Sequence, residues 1–209
     1  RLQPLDLNAL VLEVLGLYAA PQEQGRLRAE LEPGLPAIEG DLSQLRQVIH
    51  NLVQNALDAV ESRSDGLVRV ITEAARNDGG ELRAVRLRVS DNGGGFGENV
   101  IKRAFEPYVT TKPKGTGLGL AVVKKIADEH GARVRIVNRR DVAVSNGHDD
   151  VPAEGAVIGA QVSLSFSRFA AAKAPPLPTD KTHHAPDMPA PASPPNPALA
   201  TAPGAAQGL

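Results

Sequence analysis

The sequence predicts an α/β two-layer sandwich, a mixed and mainly antiparallel sheet with helices packed on one face. Three observations predict it. Helix-like and strand-like hydrophobic periods alternate along residues 1–169. From Leu42 to Val60 the apolar residues recur at three and four, which gives one wide buried face suited to covering a sheet. Two strand-like runs flank Asn77-Asp78-Gly79-Gly80, turn chemistry that folds them back on each other.

In chain order, Asp6 is placed to cap a helix bearing Leu10, Val11, Val14, Leu15 and Tyr18. A short strand-like run follows at Arg26–Leu31. Asp41 caps the clearest helix, with Leu42, Leu45, Val48, Ile49, Leu52, Val53, Ala56, Leu57 and Val60 on its apolar face. Leu67–Ala75 and Leu82–Ser90 read as neighbouring strands. A loop punctuated by glycine and proline runs from Asp91 to Gly115, and a helix from about Gly117 to Glu129 stops at Gly131. Strands near Arg133–Val137 and Ala160–Phe166 complete the sheet, with the polar stretch Asn138–Gly155 as a loop between them. Residues 21–169 then form one domain. Ten of the 17 prolines fall in residues 170–209, a segment without apolar periodicity that is expected to be disordered.

Composition narrows the function. A hydrophobic content of 42% supports one core, and a formal net charge of -1 argues against a nucleic-acid role. The absence of cysteine removes disulfides and thiolate metal sites. No apolar stretch approaches the roughly 20 residues of a membrane span, so no membrane contact is expected of this segment.

Three clusters carry chemistry. Asn51, Asn55 and Asp58 stand at i, i+4 and i+7 of the Asp41 helix. Asparagine is a poor helix former, and its amide oxygen is a suitable donor to a hard cation such as magnesium. Asp91-Asn92-Gly93-Gly94-Gly95 follows a strand; its glycines let backbone approach a ligand, and a strand-end aspartate can accept from an exocyclic amine such as that of adenine. The same run is also ordinary turn chemistry. Third, Lys112-Pro113-Lys114-Gly115-Thr116-Gly117-Leu118-Gly119 opens a helix, where free N–H groups and the helix dipole favour phosphate, with two lysines alongside. Its spacing is neither that of a P-loop nor that of a dinucleotide fingerprint.

Together these motifs resemble the sensor histidine kinases. Gln47-Val48-Ile49-His50-Asn51-Leu52-Val53-Gln54-Asn55-Ala56 is similar to their asparagine box, and Asp91–Gly95 to their first glycine box. Phe105-Glu106-Pro107 resembles their phenylalanine box and Gly115–Leu120 their second glycine box, in matching order across roughly residues 41–166. Leu5-Asp6-Leu7-Asn8 and Leu17-Tyr18 resemble the nitrogen-regulation sensors within that family. The resemblance implies the Bergerat ATP-binding fold, in which a flexible lid closes over the nucleotide. It implies ATP and Mg2+ as ligands, with Asn55 on the metal and Asn51 alongside near the phosphates as the catalytic pair. Asp91, Gly93 and Gly95 would bind the base. Phe105 would anchor the lid, and Lys112, Lys114, Gly115, Thr116, Gly117, Leu118 and Gly119 would face the phosphates. Residues 1–20 would be a linker helix after an upstream dimerisation and phosphoacceptor domain, with a response regulator as the further partner. The fragment is then expected to be monomeric and cytoplasmic, and the full-length protein a homodimer anchored in the inner membrane. One departure is Asp58, where many members carry lysine.

The same fold serves ATPases of the gyrase and heat-shock type, which typically place a glutamate base four residues before the magnesium asparagine. Here that residue is Asn51, which takes up no proton usefully at neutral pH. This favours a kinase module over a hydrolase, with a nonenzymatic nucleotide-gated regulatory module as the alternative. His50 lies within the asparagine helix and reads as a packed or solvent-facing residue, not the acceptor. His130, at a helix end, reads as a cation suited to the dipole.

Overall fold

The computed structural model describes residues 1–106, 119–141 and 155–170. Its main sheet has five strands: β2 (Leu27–Leu31), β4 (Val68–Arg76), β5 (Leu82–Asp91), β6 (Arg133–Arg140) and β7 (Val157–Phe166). Their order is β2-β4-β5-β7-β6. Only the β2–β4 pair is parallel, so the sheet is mixed and mainly antiparallel. A second sheet pairs β1 (Gln3–Leu5) with β3 (Ile38–Gly40). The β4–β5 hairpin closes at Asn77–Gly80, where Asn77 Oδ1 accepts from the Glu81 amide at 2.9 Å and Gly80 takes a positive φ of 80°.

The helices are α1 (Leu7–Leu15), α2 (Ala19–Glu23), α3 (Leu42–Ala59), α4 (Glu98–Arg103) and α5 (Gly119–Glu129). Both sequence-read caps form: Asp6 accepts from the Ala9 amide at 3.1 Å and Asp41 from the Gln44 amide at 3.0 Å. One face of α3 buries Leu45, Val48, Ile49, Leu52, Val53 and Ala56 against β4 and β5, with α1 and α5 on its flanks. Each large side chain among these stabilises the fold by about 1.5–3 kcal/mol relative to exposure, as an upper estimate. The sheet supplies Val68, Val70, Val85, Leu87, Val89, Val162, Leu164 and Phe166 to the same core. None of the described helices is long and apolar enough to cross a membrane.

Several elements depart from the sequence reading. α1 stops at Leu15, with Gly16 as its C-cap, so Tyr18 leaves the helical face and turns to His50, sharing a 3.0 Å hydrogen bond with Nδ1. Leu5, Leu7, Leu10, Val11, Val14 and Leu15 are buried in the common core. The expected loop after Asp91 contains α4, whose Glu98 in the first turn and Lys102 and Arg103 in the last suit the helix dipole. β1 and β3 are three residues each, too short to leave a readable alternation.

His130 also corrects its sequence reading. Its ring is 1% exposed. Nε2 accepts from the Asp41 amide at 2.9 Å, and Nδ1 lies 2.7 Å from the Ile126 carbonyl. A nitrogen accepting from an N–H carries no proton, so the ring is the neutral tautomer that donates through Nδ1. It joins the end of α5 to the start of α3 as a neutral ring; the cation at that helix end is Arg168, whose guanidinium lies about 3.0 Å from where a Gly131 Cβ would stand. Truncation leaves the Asp41 amide and the Ile126 carbonyl short of a partner and opens a cavity. His130→Ala is expected to lower unfolding free energy by about 2–4 kcal/mol in denaturant titration. Leu17→Ala, at a side chain 72% exposed, is expected to stay within about 0.5 kcal/mol of the parent.

Candidate functional site

Three parts of the chain converge at the C-terminal half of α3. Asn55 projects from its fourth turn toward the first residue of α5: a Cβ built on Gly119 would lie 3.5 Å from Asn55 Nδ2 and 4.0 Å from Oδ1. One turn on, the Ala59 carbonyl lies 2.6 Å from where a Gly93 Cβ would stand, so the glycine turn after β5 presses its backbone against the helix end. Any side chain at 93 would force that contact apart. Asn51 sits one turn before Asn55 and is half-buried. α3 therefore touches both the β5 turn and the start of α5.

Asp91 ends β5, paired with Val68 on one side and Ala160 on the other, and is 6% exposed. Burial pushes its carboxyl above the usual range. Hydrogen bonds from the Gly93 and Ala160 amides and the nearby Arg139 cation partly oppose that rise. The Gly93 amide donates to Oδ1 at 2.9 Å, which fixes the carboxylate relative to the glycine turn. The neighbouring Asn92 braces the turn from outside: its Oδ1 accepts from the Leu67 amide at 2.8 Å and its Nδ2 donates to the Asp65 carbonyl at 2.8 Å.

Gly95 does a different job from Gly93. At φ 74°, its missing Cβ would meet Val157 Cγ1 at 2.5 Å and Asn138 Oδ1 at 2.8 Å, so it packs against β6 and β7. Phe105 lies under α5, its ring centroid 6.0 Å from Lys124 Nζ, with Ala104 buried beside it. The residues expected at the phosphates, Lys112, Lys114, Gly115, Thr116, Gly117 and Leu118, lie outside the described residues, as do the proposed lid and the proline-rich segment.

Sequence reasoning missed three supports. Asn138 clamps the glycine turn: its Oδ1 accepts from the Phe96 amide at 2.8 Å and its Nδ2 donates to the Phe96 carbonyl at 2.6 Å. An asparagine inside a strand of alternating Arg and aliphatic residues was a legible anomaly. Gly159, within β7, has the Asp91 carbonyl oxygen 1.9 Å from where its Cβ would be; glycine in a strand signals such an approach. Arg139 donates to that same carbonyl at 2.8 Å, which nothing in its charged neighbourhood distinguished.

A concavity of about 500 Å3 lies elsewhere, among Tyr18, Arg26, Gln54, Leu57, Asp58 and Glu61. It contains none of the converging residues. The candidate site rests on their meeting, because residues 107–118, which adjoin it in sequence, are not among those described.

Comparison with known proteins agrees with this geometry. Residues 40–167 match the family model described as histidine kinase-, DNA gyrase B-, and HSP90-like ATPase. The chain is 36% identical over 140 residues to the sensor histidine kinase ZraS of Escherichia coli K12, a match covering 66% of this chain and 28% of that protein. It is 37% identical over 140 residues to the sensory histidine kinase/phosphatase NtrB of Rhizobium leguminosarum bv. phaseoli, covering 63% and 37%. The chain thus spans about a third of the curated relatives it matches. Among solved structures, the catalytic domain of histidine kinase ThkA superposes with a TM-score of 0.62 at 26% identity, covering 80% of this chain and 96% of that one. Full-length ShkA in complex with AMPPNP superposes at 0.60 with 28% identity, covering 81% and 32%. Motif order, sheet topology and the matched span together place this chain in the histidine kinase-, DNA gyrase B-, and HSP90-like ATPase family.

Proposed function

We propose that this chain is the ATP-binding catalytic domain of a two-component sensor histidine kinase, which presents the ATP γ-phosphate to a histidine on a separate dimerisation domain. The observation that carries the proposal is the pairing of Asn51 and Asn55 on α3, with Asn55 set against the first residue of α5. A hydrolase of this fold needs a base four residues before the metal asparagine; an amide there leaves water without one. The names of the two aligned relatives, a sensor histidine kinase and a sensory histidine kinase/phosphatase, support the same reading.

In this reading Asp91 accepts from the adenine amine, Gly93 gives the base room, and Asn51 and Asn55 flank the phosphates. The donor chemistry fits magnesium. Asn55 offers a hard amide oxygen, and among the described residues no group of three or more His, Cys, Asp and Glu converges to hold a metal unaided. Such a cation takes most of its ligands from phosphates and water. When bound it would neutralise phosphate charge, and the chain's own residues would orient the nucleotide for in-line transfer. His50 is tied to Tyr18 within α3 and is not the acceptor. The response regulator, the homodimeric parent and its placement at the cytoplasmic side of a membrane belong to the same proposal. Asp58 favours one second reading, a nonenzymatic nucleotide-gated module. It accepts from Gln54 Nε2 at 2.8 Å and puts a carboxylate one turn beyond Asn55, where a lysine would draw phosphate.

Calorimetry of ATP binding with and without magnesium tests the site. Magnesium-dependent binding is expected, weakened at least about tenfold in Asn55→Ala and in Asp91→Ala. Mixing the chain with a histidine domain of its parent is expected to transfer phosphate from ATP. Nucleotide binding without transfer would select the regulatory module, and phosphate appearing on the isolated chain would contradict the proposal.

Asp91 adds a pH signature. A raised carboxyl pKa means that the folded state holds the proton more readily than the unfolded chain, so this group's contribution to stability is greatest in acid. That contribution is lost as pH rises through the raised value. The ionised form, the better acceptor for an amine, is thus the less stable form of the empty domain. Adenosine affinity, corrected for the base's own protonation, is expected to fall on acidification at a pH above the ordinary carboxylate range. The fall should vanish in Asp91→Asn; a flat profile in the unmodified chain would remove Asp91 from the base contact.

A further inference from the structure

Helices cover one face of the five-stranded sheet, and the other face carries an unbalanced set of arginines. Arg28 on β2, Arg69 on β4, Arg86 and Arg88 on β5, and Arg133 and Arg135 on β6 share that face by strand register. Against these six guanidinium groups stand two carboxylates, Glu30 and Glu73, although the whole chain has a formal net charge of -1. The positive excess is therefore local.

Register gives the arginines a pattern. Arg86, Ser165 and Arg133 lie in one cross-strand row, and Arg88, Ser163 and Arg135 in the next. The serines of β7 form a floor between two arginine ridges, about 10 Å apart at two inter-strand spacings. The ridge on β5 is already engaged: Glu73 meets Arg86 at 3.2 Å and Arg88 at 3.1 Å, while Glu30 meets Arg69 at 2.5 Å. The ridge on β6 is not. Arg133 and Arg135 are exposed and have no ion-pair partner among the described residues.

Charge on an edge strand discourages sheet-to-sheet aggregation, and β6 is an edge. Either sign of charge serves that purpose, and it does not account for arginines continuing across the interior strands β5 and β4. All six are arginine and none is lysine, which suits forked, bidentate capture of carboxylates. The face already uses that pairing in Arg69–Glu30, where Arg69 contacts both carboxylate oxygens.

We propose that this sheet face, which no described element covers, docks an extended acidic segment of a partner protein, laid along the serine floor of β7 with carboxylates at alternate positions. In extended chain, alternate side chains repeat at about 6.6–6.8 Å, the same step that separates Arg133 from Arg135 along β6. Among the described residues the face carries no aromatic side chain on which a base would stack and few large apolar side chains, such as Ile71 and Val137, to enter a bilayer, so protein carboxylates fit it better than nucleic acid or lipid. The surface is independent of the nucleotide reading, whose residues lie on and beside α3.

The test is fluorescence anisotropy of a labelled alternating Glu-Ser peptide with the full chain, alongside a same-composition peptide with its glutamates in one block. Anionic phospholipid vesicles and duplex DNA are run as competitors. Saturable, salt-sensitive binding that prefers the alternating peptide is expected. It should weaken at least about tenfold in Arg133→Glu/Arg135→Glu and remain unchanged in the control Arg46→Glu/Arg63→Glu, with ATP affinity unaltered in both. Arg133→Gln/Arg135→Gln, checked for the parent melting profile, gives the same reading if charge reversal unfolds the chain. No binding at physiological salt, equal loss in the control pair, or displacement by vesicles or DNA in preference to peptide would each overturn the proposal.

Discussion

The burial of α3 against β4 and β5 is the constraint on which the rest of this structure depends. Its apolar face fixes the helix on the sheet, and everything near the candidate site is measured from it. Asn55 reaches the start of α5 because α5 packs along the flank of α3. Gly93 meets Ala59 because β5 ends where α3 ends. His130 closes the far end of the same arrangement, joining the last turn of α5 to the cap of α3. A shift of either helix by one residue, 1.5 Å along its axis, would separate amide from glycine at one end and imidazole from amide at the other. Packing and positioning are thus one requirement.

How much of this was legible follows from the range of each signal. α3 and its cap were readable because period, capping residue and length agreed over many residues. β4 and β5 were readable because their alternation and the Asn77–Gly80 turn agreed. α4 was missed: six residues among glycines leave little periodicity, although its terminal charges pointed to a helix. Tyr18 was placed on the wrong element because it continues the apolar spacing of α1, and only tertiary contact with His50 shows that the helix has already ended. In the candidate site, Asp91 and Gly93 stand two residues apart, so the hydrogen bond between them lies within a single readable motif. Asn138, Gly159 and Arg139 act on the same turn from forty or more residues away, and their roles depend on a strand register that local pattern does not contain.

Asp91 breaks the most general rule of the fold. A carboxylate at the buried end of a central strand carries a desolvation cost that its two amide partners and Arg139 offset only in part, which is why its proton is held more tightly than usual. An apolar residue or serine would sit there with less penalty. Such violations concentrate where function overrides packing. The turn that follows is built to keep the carboxylate in place: Asn92 and Asn138 hold it from opposite sides, and Gly93 and Gly159 remove the side chains that would push it away. A group that served folding alone would not need a scaffold drawn from four elements. In the proposed reading this carboxylate, whose burial is only partly offset, is the acceptor for the base amine, and that further hydrogen bond would lower the remaining cost of burial. On that reading base recognition and stability at this position are coupled, because both act through the charge state of the same buried carboxylate.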